Sequence, residues 1–341
     1  MAIRSKLVGL TAVAAAAAVV LTGCSSTGGA QTQSSTATAG SGTGSAGTGG
    51  GAVADTPRLT IAMVTHETPG DTFWDKIRSG AEAAAAKDNV DLKYSNDPQA
   101  AGQSTLIQNN VDAKVDGIAT TLVTPDALAG AVKAATDAKI PVVGFNSGID
   151  QYKQLGALMY FGSDETLAGQ TVGQKLVDNG AKKTLCVIQA EGSVALEARC
   201  AGVKDKDSST ENLQVNGADI ASVQSTIQAK LQQDPSIDSI VTLGAPIALA
   251  AIQSAKDAGS SAKVVTFDLN ADVAKAVKDG TISFSVDQQP YLQGYLAVDS
   301  LWLYLTNGNT IGGGEPTLTG PAIVDSSNID AILTYAEAGK R

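Results

Sequence analysis

From Leu59 onward, short runs of β-branched and other apolar residues alternate with longer Ala-rich stretches whose apolar positions recur every three or four residues. The continuous apolar runs predict strands at Leu59–Val64, Leu92–Tyr94, Gly117–Leu122, Val142–Phe145 and Met159–Phe161, then at Leu185–Gln189, Ser239–Leu243, Val264–Phe267 and Phe284–Val286. Helices are predicted near Phe73–Lys87, Gly102–Ala113, Pro125–Ala138, Thr166–Asp178, Ala195–Lys206, Ser222–Gln232, Ile247–Ala258, Ala271–Val277 and Tyr291–Leu305. Strands apolar on both faces and separated by helices belong to a parallel sheet covered on both sides. The alternation occurs twice, so the predicted class is α/β with two doubly wound parallel-sheet lobes.

The chain before this pattern is of another kind. Residues 1–23 place Arg4 and Lys6 before an apolar, Ala-rich run, the layout of a signal peptide. Its end, Leu21-Thr22-Gly23-Cys24, resembles the bacterial lipoprotein box, in which the Cys, here Cys24, carries the lipid. An uncleaved anchor and a soluble secreted protein are the alternatives. Residues 24–57 are almost all Ser, Thr, Gly and Ala, so they have no apolar surface to bury and predict a flexible tether, roughly 30 Å long as a random coil. The expected location is outside the cell, on the outer face of the membrane.

The formal charge of −10 argues against nucleic acid as a partner. Apart from Cys24 there are two cysteines, Cys186 at the start of a predicted strand and Cys200 in the helix after it. In an exported protein with no histidine nearby, a disulfide is expected, with a pair of buried thiols as the alternative.

Doubly wound sheets bind ligands beyond the carboxyl ends of their strands. There the chain places Thr65, His66 and Glu67, then Asp71, Phe73 and Trp74; Thr120 and Thr121; Asn146 and Ser147; Ser163, Asp164 and Glu165; and later Glu191, Arg199, Asp268 and Asn270, Asp287 and Gln288. With only 4% aromatic residues, the chain still sets Phe73 beside one of its two tryptophans, Trp74, at a helix entry. Adjacent helical residues point about 100° apart, so at least one of the pair is expected to face something other than the core. Carboxylates, amides and hydroxyls with an aromatic wall suit a polyhydroxylated ligand, because planar groups pair vicinal hydroxyls and ring faces cover its C–H side.

The segments "IAMVTHETPGDTFWDKIRSGAEAAA", "VDGIATTLVTPDALAGAVKAATDAKIPVVGFNSG", "YFGSDETLAGQTVGQKL", "ALEARCAG" and "VVTFDLNADVAKAVKDGTISFSVDQQPYLQGYLA" resemble, in order, the periplasmic sugar-binding family of ABC importers typified by ribose-binding protein. The resemblance covers the chain after the tether. It implies two lobes joined by a three-crossing hinge, residues 58–162 plus 289–318 and residues 163–288 plus 319–341. It also implies site positions at Asp71, Phe73, Trp74, Thr121, Asn146, Ser163, Arg199, Gly244, Asp268 and Gln288, to which the strand-end reading adds Thr65 and His66. Phe73 and Trp74 would form the aromatic wall, Arg199 and Asp268 would give charge-assisted hydrogen bonds, and Asn146 would replace the aspartate common in ribose binders. Ser147, where an Arg often stands, and Gly244, where an Asn often stands, depart from the family, so a pentose, a hexose, a polyol or an inositol all remain open.

The implied function is a monomeric solute-binding lipoprotein that hands a sugar or polyol to an ABC permease driven by a cytoplasmic ATPase, with no cofactor and no metal. A sensory receptor for the same ligands is the alternative, and an exported carbohydrate-active enzyme a more distant one. The only histidine, His66, continues as Glu67-Thr68-Pro69-Gly70 and so forms no H-E-x-x-H site, and neither a G-x-S-x-G elbow nor a Walker A motif occurs. If Arg199 were a surface residue it would pair with Glu197 or Glu191, and if Asp268 served the helix after it, it would be an N-cap. Trp302, at helical spacing in "YLAVDSLWLYL", is expected in the core.

Overall fold

The computed structural model describes residues 53–68 and 70–341. The expected signal peptide 1–23, Cys24 and the tether as far as residue 52 lie outside the described residues. The last five tether positions are held rather than free. Ala54 N–H donates to the Lys87 carbonyl at 2.9 Å, and Asn89 Nδ2 donates to the Thr56 carbonyl at 2.8 Å. Half-buried Trp302 reaches the same place, its Nε1 donating to Thr56 Oγ1 at 3.2 Å.

The first sheet is built from β1 (Leu59–Thr65), β2 (Val90–Asn96), β3 (Gly117–Thr121), β4 (Val142–Phe145) and β5 (Met159–Ser163), with α1 (Phe73–Lys87), α2 (Ala100–Asp112), α3 (Pro125–Asp137) and the short α4 (Tyr152–Leu155) between them. After β5 the chain enters α5 (Glu165–Asp178) and a second sheet of β6 (Thr184–Ile188), β7 (Glu211–Gln214), β8 (Ser239–Thr242), β9 (Lys263–Phe267) and β10 (Ile282–Asp287). The intervening helices are α6 (Val194–Lys206), α7 (Ile220–Gln233), α8 (Ala245–Asp257) and α9 (Ala271–Asp279). It then returns through α10 (Pro290–Asn307) to β11 (Thr317–Gly320) and crosses a last time to β12 (Ala322–Val324) and α11 (Ile329–Glu337).

The strand orders are β11-β5-β4-β3-β1-β2 and β12-β10-β9-β8-β6-β7. Every pairing is parallel except β10 with β12. Central strands such as β3 and β8 are buried along their whole length, as strands covered by helices on both faces are. Two expected lobe boundaries shift: β5 and β11 remain in the first sheet to Ser163 and Gly320, so the chain leaves that lobe one and two residues later than predicted. α4, β7, β11, β12 and α11 are additions to the predicted set; β7, Glu-Asn-Leu-Gln, shows only one half-buried face at a sheet edge.

Two helix pairs hold the hinge segments to the site-bearing helices. A Cβ on Gly80 of α1 would lie 1.9 Å from the Tyr291 carbonyl oxygen of α10, and one on Gly294 would lie 2.0 Å from that of Ile77. In the second lobe, a Cβ on Gly169 of α5 would meet the Arg199 carbonyl oxygen of α6 at 2.1 Å, and one on Gly202 would meet that of Thr166 at 2.4 Å. Only backbones without side chains approach so closely. The same α6 is fixed to β6 by a disulfide between Cys186 and Cys200, whose Cα atoms are 5.9 Å apart.

Gly294→Ala is therefore expected to destabilise the protein by about 1–3 kcal/mol through overpacking. Gly130 of α3, exposed and with open space around it, serves as the comparison: Gly130→Ala should stabilise by about 0.5–1 kcal/mol. Urea unfolding of both variants measures the two signs.

Candidate functional site

Loops at the carboxyl ends of both sheets enclose a cavity of about 170 Å³. The first lobe contributes His66, Thr68, Asp71, Phe73, Trp74 and Asn146, the second Gln189, Ser193, Arg199, Gly244 and Asp268, and the segment after β10 contributes Gln288. The two lobes touch where Val194 N–H, next to the cavity-lining Ser193, donates to the Val123 carbonyl at 3.3 Å.

Asn146 and Asp268 occupy matching places, each directly after a Phe that ends a strand. Both have left-handed backbones, φ +65° and +66°, a conformation that Asn and Asp tolerate better than most residues. Each N–H donates to the neighbouring strand, Asn146 to Phe161 at 2.9 Å and Asp268 to Val286 at 2.8 Å. The two side chains are joined by Gln288, whose Oε1 accepts from Asn146 Nδ2 at 3.2 Å while its Nε2 donates to Asp268 Oδ1 at 2.7 Å. The cap of α9 is Asn270, accepting from Val273 N–H at 2.8 Å, so Asp268 is left to face the cavity. Burial pushes the Asp268 carboxyl up to about 7, against the opposing pull of Arg199 and of the Gln288 hydrogen bond.

Arg199 is buried and pairs with Glu165, not with Glu191 or Glu197. Its Nε and Nη2 donate to the two carboxylate oxygens at 2.5 and 3.1 Å. Nη1 donates to the Leu243 carbonyl at 3.2 Å, and the guanidinium lies 4.6 Å over the Phe267 ring. Such a forked, cation–π-backed arrangement fixes the guanidinium plane at the cavity wall.

Phe73 and Trp74 each face both the core and the cavity. Both belong to the core cluster behind α1 and both line the cavity, set edge to face with centroids 5.2 Å apart. Asp71 Oδ1 accepts from Phe73 N–H at 3.0 Å, tying the loop to the helix start, and burial raises its pKa.

Thr65, Thr121 and Ser163 lie off the cavity wall. As strand residues they send their side chains into the faces of the sheet: Thr65 Oγ1 is 3.2 Å from the Tyr94 hydroxyl, Thr121 Oγ1 is 2.8 Å from His66 Nδ1, and Ser163 Oγ is buried without a partner. Gln189, not singled out from the sequence, is on the wall with its Oε1 buried and unpaired. Its position as the last residue of the predicted strand Leu185–Gln189 was the available signal. Among the described residues no group of three or more His, Cys, Asp or Glu is placed to hold a metal ion.

Residues 61–310 match the family model described as periplasmic binding protein domain. A carbohydrate transporter from Acidothermus cellulolyticus 11B, solved in complex with myo-inositol, is 60% identical, covering 84% of this chain and 100% of its own, with a TM-score of 0.83. The xylose/arabinose-binding protein XylF of Sulfolobus acidocaldarius is 26% identical over 83% of this chain and 75% of its own. The ribose import binding protein RbsB of Escherichia coli is 28% identical over 71% of this chain and 83% of its own. With two α/β lobes, a three-crossing hinge and a cavity between them, the chain belongs to the periplasmic binding protein domain family, and it is a binding protein, not an enzyme.

Proposed function

We propose that this protein captures a cyclic polyol of the myo-inositol type between its lobes and delivers it to an ABC permease, as a monomer anchored outside the cell through Cys24. The observation that carries the reading is the convergence of Asp71, Asn146, Gln189, Arg199 and Asp268, from both lobes, on one small cavity walled by Phe73 and Trp74. A cyclitol has a hydroxyl on every ring carbon, so it suits a wall that offers acceptors and donors all round. The bound myo-inositol of the 60% identical transporter supports the cyclitol over the pentoses named for the more distant relatives. Because the wall is shared, a ligand stabilises the closed arrangement by touching both lobes at once. Phe73 and Trp74 cover the ring's C–H face, Arg199 donates to hydroxyl oxygens, and Asp71 and Asp268 accept from hydroxyl hydrogens.

Myo-inositol at about 100 times its dissociation constant should stabilise the protein by roughly 2.7 kcal/mol in a thermal-shift or denaturant experiment. Trp74→Ala and Asp268→Ala should abolish the effect. Stabilisation by ribose, xylose or arabinose without any by myo-inositol would overturn the cyclitol assignment.

Hydroxyls that donate to Asp268 favour its ionised form, so binding releases a proton wherever the free carboxyl is still protonated. Affinity should therefore rise with pH up to and through about 7 and then level off. The free protein shows the opposite slope from this group: between 3.8 and about 7 the unfolded chain ionises while the folded one holds its proton, so stability falls as pH rises. Calorimetric titrations in buffers of different ionisation enthalpy count the released proton, and Asp268→Asn should remove the pH dependence that this carboxyl contributes.

A further inference from the structure

The loop "THETPGDTFW" brings the chain's one histidine to the cavity, and behind it stands a directed chain of hydrogen bonds. Gln103, fully buried on α2, donates from Nε2 to the Thr121 carbonyl at 2.8 Å and to Thr121 Oγ1 at 2.9 Å. The carbonyl can only accept, so it fixes which end of the amide faces Thr121. Thr121 Oγ1 thus receives a hydrogen from Gln103 and has its own to give. Among the described residues its one other hydrogen-bond partner is His66 Nδ1, at 2.8 Å. Trp74 packs edge-on against the imidazole, centroids 4.7 Å apart, and limits its rotation. His66 Nε2 has no hydrogen bond to any described residue, and the ring lines the cavity beside Asp71 and Trp74.

We propose that Gln103 and Thr121 lock His66 in the neutral tautomer with the hydrogen on Nε2, giving the first lobe a fixed, uncharged N–H donor for a ligand hydroxyl oxygen. Thr121 is then a positioning residue one step removed from the ligand. The donor role rests on the polyol reading; the tautomer does not. The donor complements the carboxylates: Asp71 and Asp268 accept hydroxyl hydrogens, whereas His66 can only give one, so ring positions are told apart by the direction of their hydrogen bonds. Burial pushes the imidazole down to about 3, which keeps the donor neutral across ordinary pH.

With one histidine in the chain, nitrogen-15 NMR of the histidine-labelled protein reads this ring alone. The expected spectrum, with no ligand added, shows a protonated Nε2, a bare Nδ1 and no titration between pH 8 and 5. Thr121→Ser should keep it; Thr121→Val should mix the tautomers and weaken myo-inositol binding roughly tenfold. A hydrogen on Nδ1, titration near the ordinary histidine value, or a Thr121→Val protein with an unchanged tautomer would overturn the lock. If myo-inositol binds and the Nε2 resonance does not move, the donor role is overturned. If myo-inositol does not bind, the cyclitol reading fails, and the tautomer in the free protein still decides the lock.

Discussion

One buried amide, that of Gln288, ties the two halves of the cavity together. Its oxygen accepts from Asn146 of the first lobe and its nitrogen donates to Asp268 of the second. The amide is oriented from behind by Gln293, whose Nε2 donates to Gln288 Oε1 at 2.9 Å and to Thr319 Oγ1 at 3.1 Å, and Thr319 Oγ1 donates to the Gln288 carbonyl at 2.7 Å. Each donor in this buried set has an acceptor, so the network rigidifies the hinge instead of costing it unsatisfied polar groups. Because Gln288 follows β10 and Thr319 lies in β11, two of the three crossings are fastened at one point.

From that point outward, the structure is a repeated solution to one packing problem. The helix that follows a crossing, α5 or α10, must lie close to the helix that faces the cavity, α6 or α1. Glycines on both members of each pair let backbone meet backbone. Arg199 is held by Glu165 on the first turn of α5, so a cavity side chain is set by a residue next to the hinge. The aromatic pair of α1 is set in the same way, by packing on the core that α10 closes.

The fold was readable because its central strands are apolar on both faces, which few other architectures produce. Three of the four edge strands were not: β7, β11 and β12 are short, and β7 carries polar residues that resemble a loop until pairing with β6 defines it. For the site, the strand-end rule points to loops that line the cavity, and Asp71, Phe73, Trp74, Asn146, Arg199, Asp268 and Gln288 all reach it, as does Gly244, which only the family resemblance offers. It does not say which way a strand's final side chain points, so it adds Thr65 to the residues that face the opening, as the family resemblance adds Thr121 and Ser163. Nor could composition pair Arg199 with Glu165, since that contact spans 34 positions and needs the α5–α6 packing to exist first.

The bond between Cys186 and Cys200 has a meaning beyond the second lobe's rigidity. It closes a loop of 14 positions that contains Gln189, Ser193 and Arg199, so that wall of the cavity is cross-linked only where thiols are oxidised. Such bonds are rare in the reducing cytosol and persist outside it. Where the two thiols are joined, Gln189, Ser193 and Arg199 lie inside a closed ring of chain; where they are reduced, the same wall depends on packing and hydrogen bonds alone.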